Sequence, residues 1–247
     1  MFIVSLATSL ALLTTSLSRD VGEKIWKNEC GGMVSNLTHW GQGEEFASFG
    51  IGHFIWYTKN KKGPFEESFP ALLGFLEKHG ESLPIWLKAS SACPWNSREE
   101  FQAQLSTPKM KELREFLFKT RHLQAQFISE RLEKTLPHLT ADLSPQEKER
   151  VIANFNKLSQ SPQGLYALID YLNFKGSGTS ASESYQGHRW GLLQVLLSID
   201  SSEDEVRAFV EAAKKILTER VRLSPPERDE KKWLPGWINR INTYLEK

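Results

Sequence analysis

From Ser97 to its end the chain is a succession of helix start signals, each followed by an amphipathic run. This leaves little room for a large sheet. Ser97 with Glu100 three residues later has the form of a capping box. Residues 107–137, TPKMKELREFLFKTRHLQAQFISERLEKTLP, place Leu113, Leu117, His122, Leu123, Phe127 and Leu132 along a helical pattern, enough for two helices or one long bent one. Ser144-Pro145 opens another helix with acids in its first turn, and Ser161-Pro162 opens one that stops at Gly176 and Gly178. TSASESYQGHR (179–189) is polar and reads as irregular. WGLLQVLLSI (190–199) reads as a buried helical segment, and SSEDEVRAFVEAAKKILTERV (201–221) as a capped amphipathic helix. A proline-broken approach then leads to a short closing helix.

Ahead of Ser97 the signals are mixed. DVGEKIWKNECGG (20–32) predicts a short helix closed by Gly31 and Gly32. MVSNLTHWGQG (33–43) is rich in turn formers and reads as a loop. EEFASFGIGHFIWY (44–57) is dense in aromatic and β-branched residues and predicts one or two short strands. FEESFPALLGFLEKHG (65–80) returns to helical spacing, with Phe65, Phe69, Leu72, Leu73 and Leu76 on one side. No repeat, low-complexity segment or linker stands out. The fold class expected is mainly α (α+β), a single domain over residues 19–247 with a small β-hairpin near its start.

The first residues, MFIVSLATSLALLTTSLS (1–18), are almost purely apolar and end in small residues. They read as a signal peptide, with Ser16 and Ser18 as a small-x-small cleavage site, or as a buried N-terminal segment. Export to the periplasm or medium is the expectation, with no membrane attachment after removal. The 247 residues are 40% hydrophobic and 25% charged, enough to build a core without metals or several disulfides. A net charge of +1 supplies no field that would draw nucleic acid. Two cysteines, Cys30 and Cys93, either pair in an oxidising compartment or stay as separate buried thiols. Six histidines and those cysteines show no zinc-ligand spacing, and no glycine-rich phosphate loop occurs, so neither metal nor cofactor is expected.

Two carboxylates across a cleft are what glycosidic bond cleavage needs: one protonates the leaving oxygen, the other positions water or supports the oxocarbenium charge. Glu29, at the end of the first helix, and Glu44 or Glu45, at the head of the aromatic stretch, are candidates. If residues 44–48 are extended, the two-residue period puts Glu44, Phe46 and Ser48 on one face and Glu45 on the other, which favours Glu44. The bland reading of such acids is solvated surface.

A glutamate late in the first helix, then a hairpin carrying a hydroxyl residue, one apolar residue and Gly-Ile-Gly-His (Ser48 to His53), resembles the opening of phage-type lysozymes. LYALIDYLNFKGSG (165–178) resembles their buried helix, and WLPGWINRINTY (233–244) their closing helix. The whole chain also resembles a group of exported bacterial proteins sharing GEEF-S-GIGHFIWY. The lysozyme resemblance implies Glu29 as general acid, Ser48 as the hydroxyl that helps hold the attacking water, and His53 as a chiefly structural residue. The family's second carboxylate is an aspartate; gapless counting from Gly50 puts Gln42 there, and the segment from Glu29 to Gly50 is longer than in those enzymes. Glu44 is the nearest substitute.

Trp56 and Tyr57 are expected in the core or at the edge of a sugar site, and Arg240 is expected to pair with an acid, Glu29 being the candidate the resemblance suggests. The function expected is an exported glycoside hydrolase acting on peptidoglycan or a related β-linked amino-sugar polymer. A catalytically inactive wall-binding or protein-binding module on the same scaffold is the alternative. A thiol enzyme using Cys30 and His53 is a third reading, although Glu29 beside Cys30 raises the thiol pKa, the wrong direction for a nucleophile.

Overall fold

Helix start signals are realised by side chains that satisfy the orphan amides of the first turn. The hydroxyls of Ser97, Thr107, Ser144 and Ser161 accept the N–H groups of Glu100, Met110, Glu147 and Gly164. Glu147 returns a bond to the Ser144 amide and completes a capping box. The computed structural model describes residues 15–63, 65–180, 184–199 and 204–246. The leader expected over residues 1–18 lies outside the described residues as far as residue 14. Among the described residues the chain is mainly helical, with a small three-stranded antiparallel sheet near its start.

The chain divides into two compact units, with the division after Ile128. It falls inside a helix, α6 (Arg121–Leu139), which is why no Pro-, Gly- or Ser-rich linker marks it in the sequence.

The unit before the division begins with α1 (Thr15–Cys30) and a 3-10 turn (Val34–Leu37). Strands β1 (Thr38–His39), β2 (Phe46–Phe49) and β3 (Phe54–Tyr57) follow, β2 in the middle. Thr38 pairs with Phe49 and His39 with Ser48; Phe46 faces Tyr57, and Ser48 faces Ile55. The hairpin expected from the aromatic stretch is present, and β1 joins it out of the segment expected as loop. Helices α2 (Phe69–Lys78), α3 (Ile85–Lys88), α4 (Arg98–Ala103) and α5 (Pro108–Lys119) complete the unit with the first part of α6. Phe65 lies outside α2 and is 59% exposed, a correction to its place on that helix's apolar side; the segment before Phe69 is not helical.

All four residues of β2 are buried, so the sheet is covered on both faces. Phe49 is the centre of the packing. Its ring lies 4.7 Å from Phe69, 5.9 Å from Trp56 and 6.0 Å from Trp95, and Phe101 closes on Trp95 at 5.4 Å. Burying rings of this size contributes about 1.5–3 kcal/mol each, enough to fix so small a sheet.

The unit after the division holds α7 (Pro145–Ser159), α8 (Pro162–Lys175), a short hairpin of β4 (Ser184–Tyr185) and β5 (His188–Arg189), α9 (Leu192–Ser198), α10 (Glu205–Leu223) and α11 (Leu234–Asn242). The hairpin lies in the segment expected to be irregular; two-residue strands leave no periodicity to read. Helix α8 is the core. Residues 164–171 are buried without interruption, and α7, α9 and α10 pack on it.

Candidate functional site

Glu29 is set by the end of α1. The helix stops because Gly31 and Gly32 take positive φ, +58° and +67°, and Met33 N–H turns back to the Cys30 carbonyl at 3.0 Å. The Asn36 amide donates to the same carbonyl at 3.1 Å. Glu29 is half-buried on the last turn, and the chain passes from it through one 3-10 turn into the sheet.

The Gly-Ile-Gly-His segment forms the β2–β3 turn. Gly50 has φ +73°, and a Cβ there would sit 2.3 Å from the side-chain oxygen of Gln124. That oxygen accepts the Ile51 N–H at 2.9 Å, while the Gln124 amide donates to the Leu117 carbonyl at 2.7 Å and the Thr120 hydroxyl at 3.1 Å. Gln124 is wholly buried, so α6 reaches into the turn and latches it. His53 follows in the left-handed region at φ +46°, and its ring stacks on that of His39 at 6.2 Å. The turn's geometry thus accounts for both glycine and histidine placement without assigning His53 a chemical task. Gln124 was missed by the sequence reading. A glutamine inside an apolar helical stripe is its only sequence signal.

Glu44 is not part of the strand. Its N–H bonds to the Gly41 carbonyl at 3.3 Å and its carboxylate accepts the Gly41 N–H at 3.0 Å, closing a turn in which Gly43 has φ +81°. The Trp40 indole N–H holds the Glu44 carbonyl at 2.8 Å. This corrects the shared extended face of Glu44 and Ser48: strand geometry starts only at Phe46, Glu44 is exposed, and Ser48 is 5% exposed within β2. Glu45 is also exposed. Its bond to Lys61, 2.7 Å, holds its carboxyl below the usual range.

Trp56 and Tyr57 are 1% and 4% exposed, so both belong to the core; the edge of a sugar site is corrected for both. The Tyr57 hydroxyl donates to the Phe65 carbonyl at 3.3 Å. Arg240 pairs with Asp170, an acid the sequence did not point to. Its Nε and one terminal nitrogen meet the two carboxylate oxygens at 2.9 and 2.8 Å, and the Tyr244 hydroxyl donates to the same carboxylate. The partner could not be read from sequence because it is 70 residues away on the buried face of α8.

Cys30 and Cys93 are separate buried thiols. Burial, with the Glu29 charge added, pushes Cys30 up to about 12, and burial likewise pushes Cys93 up to about 12. A thiol held this high carries no thiolate near neutrality, which removes the support for Cys30 as a nucleophile. Among the described residues no group of three or more His, Cys, Asp or Glu is placed to hold a metal ion, and no helix is long and apolar enough to cross a membrane.

Glu29 is therefore a half-buried carboxylate in the last turn of α1, whereas Glu44 and Glu45 are exposed. No protein-family model, curated protein or solved structure matches this chain.

Proposed function

We propose that the chain is an exported, lysozyme-like glycoside hydrolase that cuts peptidoglycan or a related β-linked amino-sugar polymer, with Glu29 as general acid. The observation that carries this reading is the order of parts around Glu29. A half-buried glutamate ends a helix, and a three-stranded antiparallel sheet with a latched Gly-Ile-Gly-His turn follows directly. A leaving-group acid hands its proton to the glycosidic oxygen of the polymer, and Glu29 is the carboxylate this order of parts offers for that step. Glu44 is the nearest candidate for the second carboxylate, and it would have to leave its bond to Gly41 to serve.

That bond favours a second reading, a wall-binding or protein-binding module on the same scaffold. With the Glu44 carboxylate already satisfied by its own turn and Ser48 buried, neither of these two groups is set to activate water. Release of soluble fragments from purified peptidoglycan, measured beside Glu29→Gln, separates the two. Loss of a general acid lowers the rate about 10²–10⁴-fold. Such a loss in a folded variant supports the hydrolase. Equal release by both proteins refutes Glu29 as the acid, and no release by either supports the binding module.

A further inference from the structure

Lys175, the last residue of α8, is 8% exposed, and the groups around it are already committed to one another. Arg220 on α10 grips Glu230, itself 5% exposed, through two bonds of 2.8 and 2.7 Å. The Tyr185 hydroxyl adds a third bond to that carboxylate at 2.8 Å. Arg240 on α11 and the Tyr244 hydroxyl occupy Asp170 in the same manner. Among the described residues, the two buried carboxylates of this cluster, Glu230 and Asp170, thus bond to Arg220 and Arg240, and neither bonds to Lys175. Among the described residues its ammonium meets only aromatic faces: Nζ lies 3.3 Å from the centre of the Trp237 ring and 4.0 Å from that of Phe174. Arg220 lies over Trp190 at 4.1 Å and beside Trp237 at 4.9 Å, so the aromatic walls are shared by both cations.

A cation buried this way is costly. Aromatic faces return part of the lost hydration, while a carboxylate would return far more. Burial first, and then Arg220 and Arg240, push Lys175 down to about 7, with Glu230 opposing them. A lysine serving only as packing would gain from being apolar. The surplus charge instead matches a negative group from outside, delivered on a body that fits against Trp and Phe rings.

We infer that Lys175 anchors a binding site for a carboxylate-bearing small ligand, framed by Phe174, Trp190 and Trp237, with the Arg220–Glu230–Tyr185 set positioning the walls. An arriving carboxylate supplies the missing charge and holds Lys175 protonated. Binding therefore takes up a proton above pH 7 and weakens as pH rises further. The inference stands apart from the chemistry at Glu29, because it concerns binding and needs no turnover.

The test is an NMR pH titration of the Lys175 side chain in the full chain, free and with three probes. N-acetylmuramic acid and N-acetylglucosamine differ by a carboxylate-bearing substituent, and the dipeptide alanyl-alanine offers a carboxylate from a peptide. Free protein should give a midpoint near 7. N-acetylmuramic acid, the dipeptide or both should raise it, and N-acetylglucosamine should not; which of the acids acts identifies the source as glycan or peptide. Lys175→Met should weaken acid binding at least tenfold, and Lys175→Arg should retain most of it. The inference is overturned if neither acid moves the midpoint, if the neutral sugar moves it equally, or if Lys175→Met binds the acids as well as the parent. The titration of the unaltered protein decides the matter even if a variant fails to fold.

Discussion

Replacing Gln124 with methionine isolates the latch on the Gly-Ile-Gly-His turn. Methionine keeps the length and nearly the volume, so packing changes little, but all three hydrogen bonds go. The Ile51 N–H then lies buried without its acceptor, at about 1–3 kcal/mol. The Leu117 carbonyl loses its 2.7 Å donor and keeps only the Thr120 hydroxyl at 3.4 Å, adding about 1 kcal/mol. A cost of about 3 kcal/mol follows for opening the turn, and amide hydrogen exchange at Ile51 reads it directly as a rise of about a hundredfold. Gln124→Glu is the control with a sign. Its carboxyl must be protonated to donate where the amide did, so its folded pKa is raised above the unfolded value of about 4.3. The variant's stability is then fully present below that value and falls as pH rises through the folded pKa. Unchanged exchange at Ile51 in Gln124→Met, or a Gln124→Glu stability that rises with pH, would refute the latch.

Asp170→Ala should cost about 3–5 kcal/mol in thermal or urea unfolding, because it removes a carboxylate only 1% exposed that bonds both Arg240 and the Tyr244 hydroxyl. Asp170→Leu combined with Arg240→Met should recover part of that; a cost below 1 kcal/mol for the single change would count against a structural pair. Iodoacetamide at pH 8 should leave both cysteines of the folded chain unlabelled and modify both after denaturation, since each thiol is held up at about 12; rapid labelling of Cys30 in the native protein would contradict its burial. Lys175 is lowered from 10.5 to about 7, so the unfolded chain binds more protons between those values and stability should climb with pH across that window. The climb attributable to Lys175 is on the order of 5 kcal/mol, and Lys175→Met should flatten it; an identical pH profile in the variant would show that the amine keeps its ordinary proton affinity.

Helical class and most helix starts were legible because they rest on local chemistry. A serine hydroxyl reaching an amide three residues on, or a glycine ending a helix, needs nothing from the rest of the chain. The two-strand core of the sheet was legible for the same reason, from the aromatic density of residues 44–57. The third strand was not, because Thr38 and His39 carry no pattern and owe their conformation to pairing with Phe49 and Ser48. Glu44 was misplaced by extending the strand's alternation backwards two residues too far. The Gly41 to Glu44 turn interrupts it, and Gly43 at positive φ was the available signal.

The same limit explains why the site hypotheses from sequence gathered around one stretch while the densest set of committed polar groups lies elsewhere. Lys175, Tyr185, Arg220, Glu230 and Arg240 sit on four helices or turns and a two-residue strand, and nothing in their spacing relates them. Only the fold of the unit after Ile128 brings them together, by running α10 and α11 past the end of α8. Charge arithmetic on the whole chain, +1, hides how the charges are grouped: among the described residues here, Glu230 bonds Arg220 and Asp170 bonds Arg240, while Lys175 meets aromatic faces. In a low-dielectric setting the near neighbours of Lys175 govern its charge, because solvated surface charges are screened over about 10 Å. Lys175 is thus a buried cation met by aromatic faces, and its titration is the reading that tests the inferred ligand.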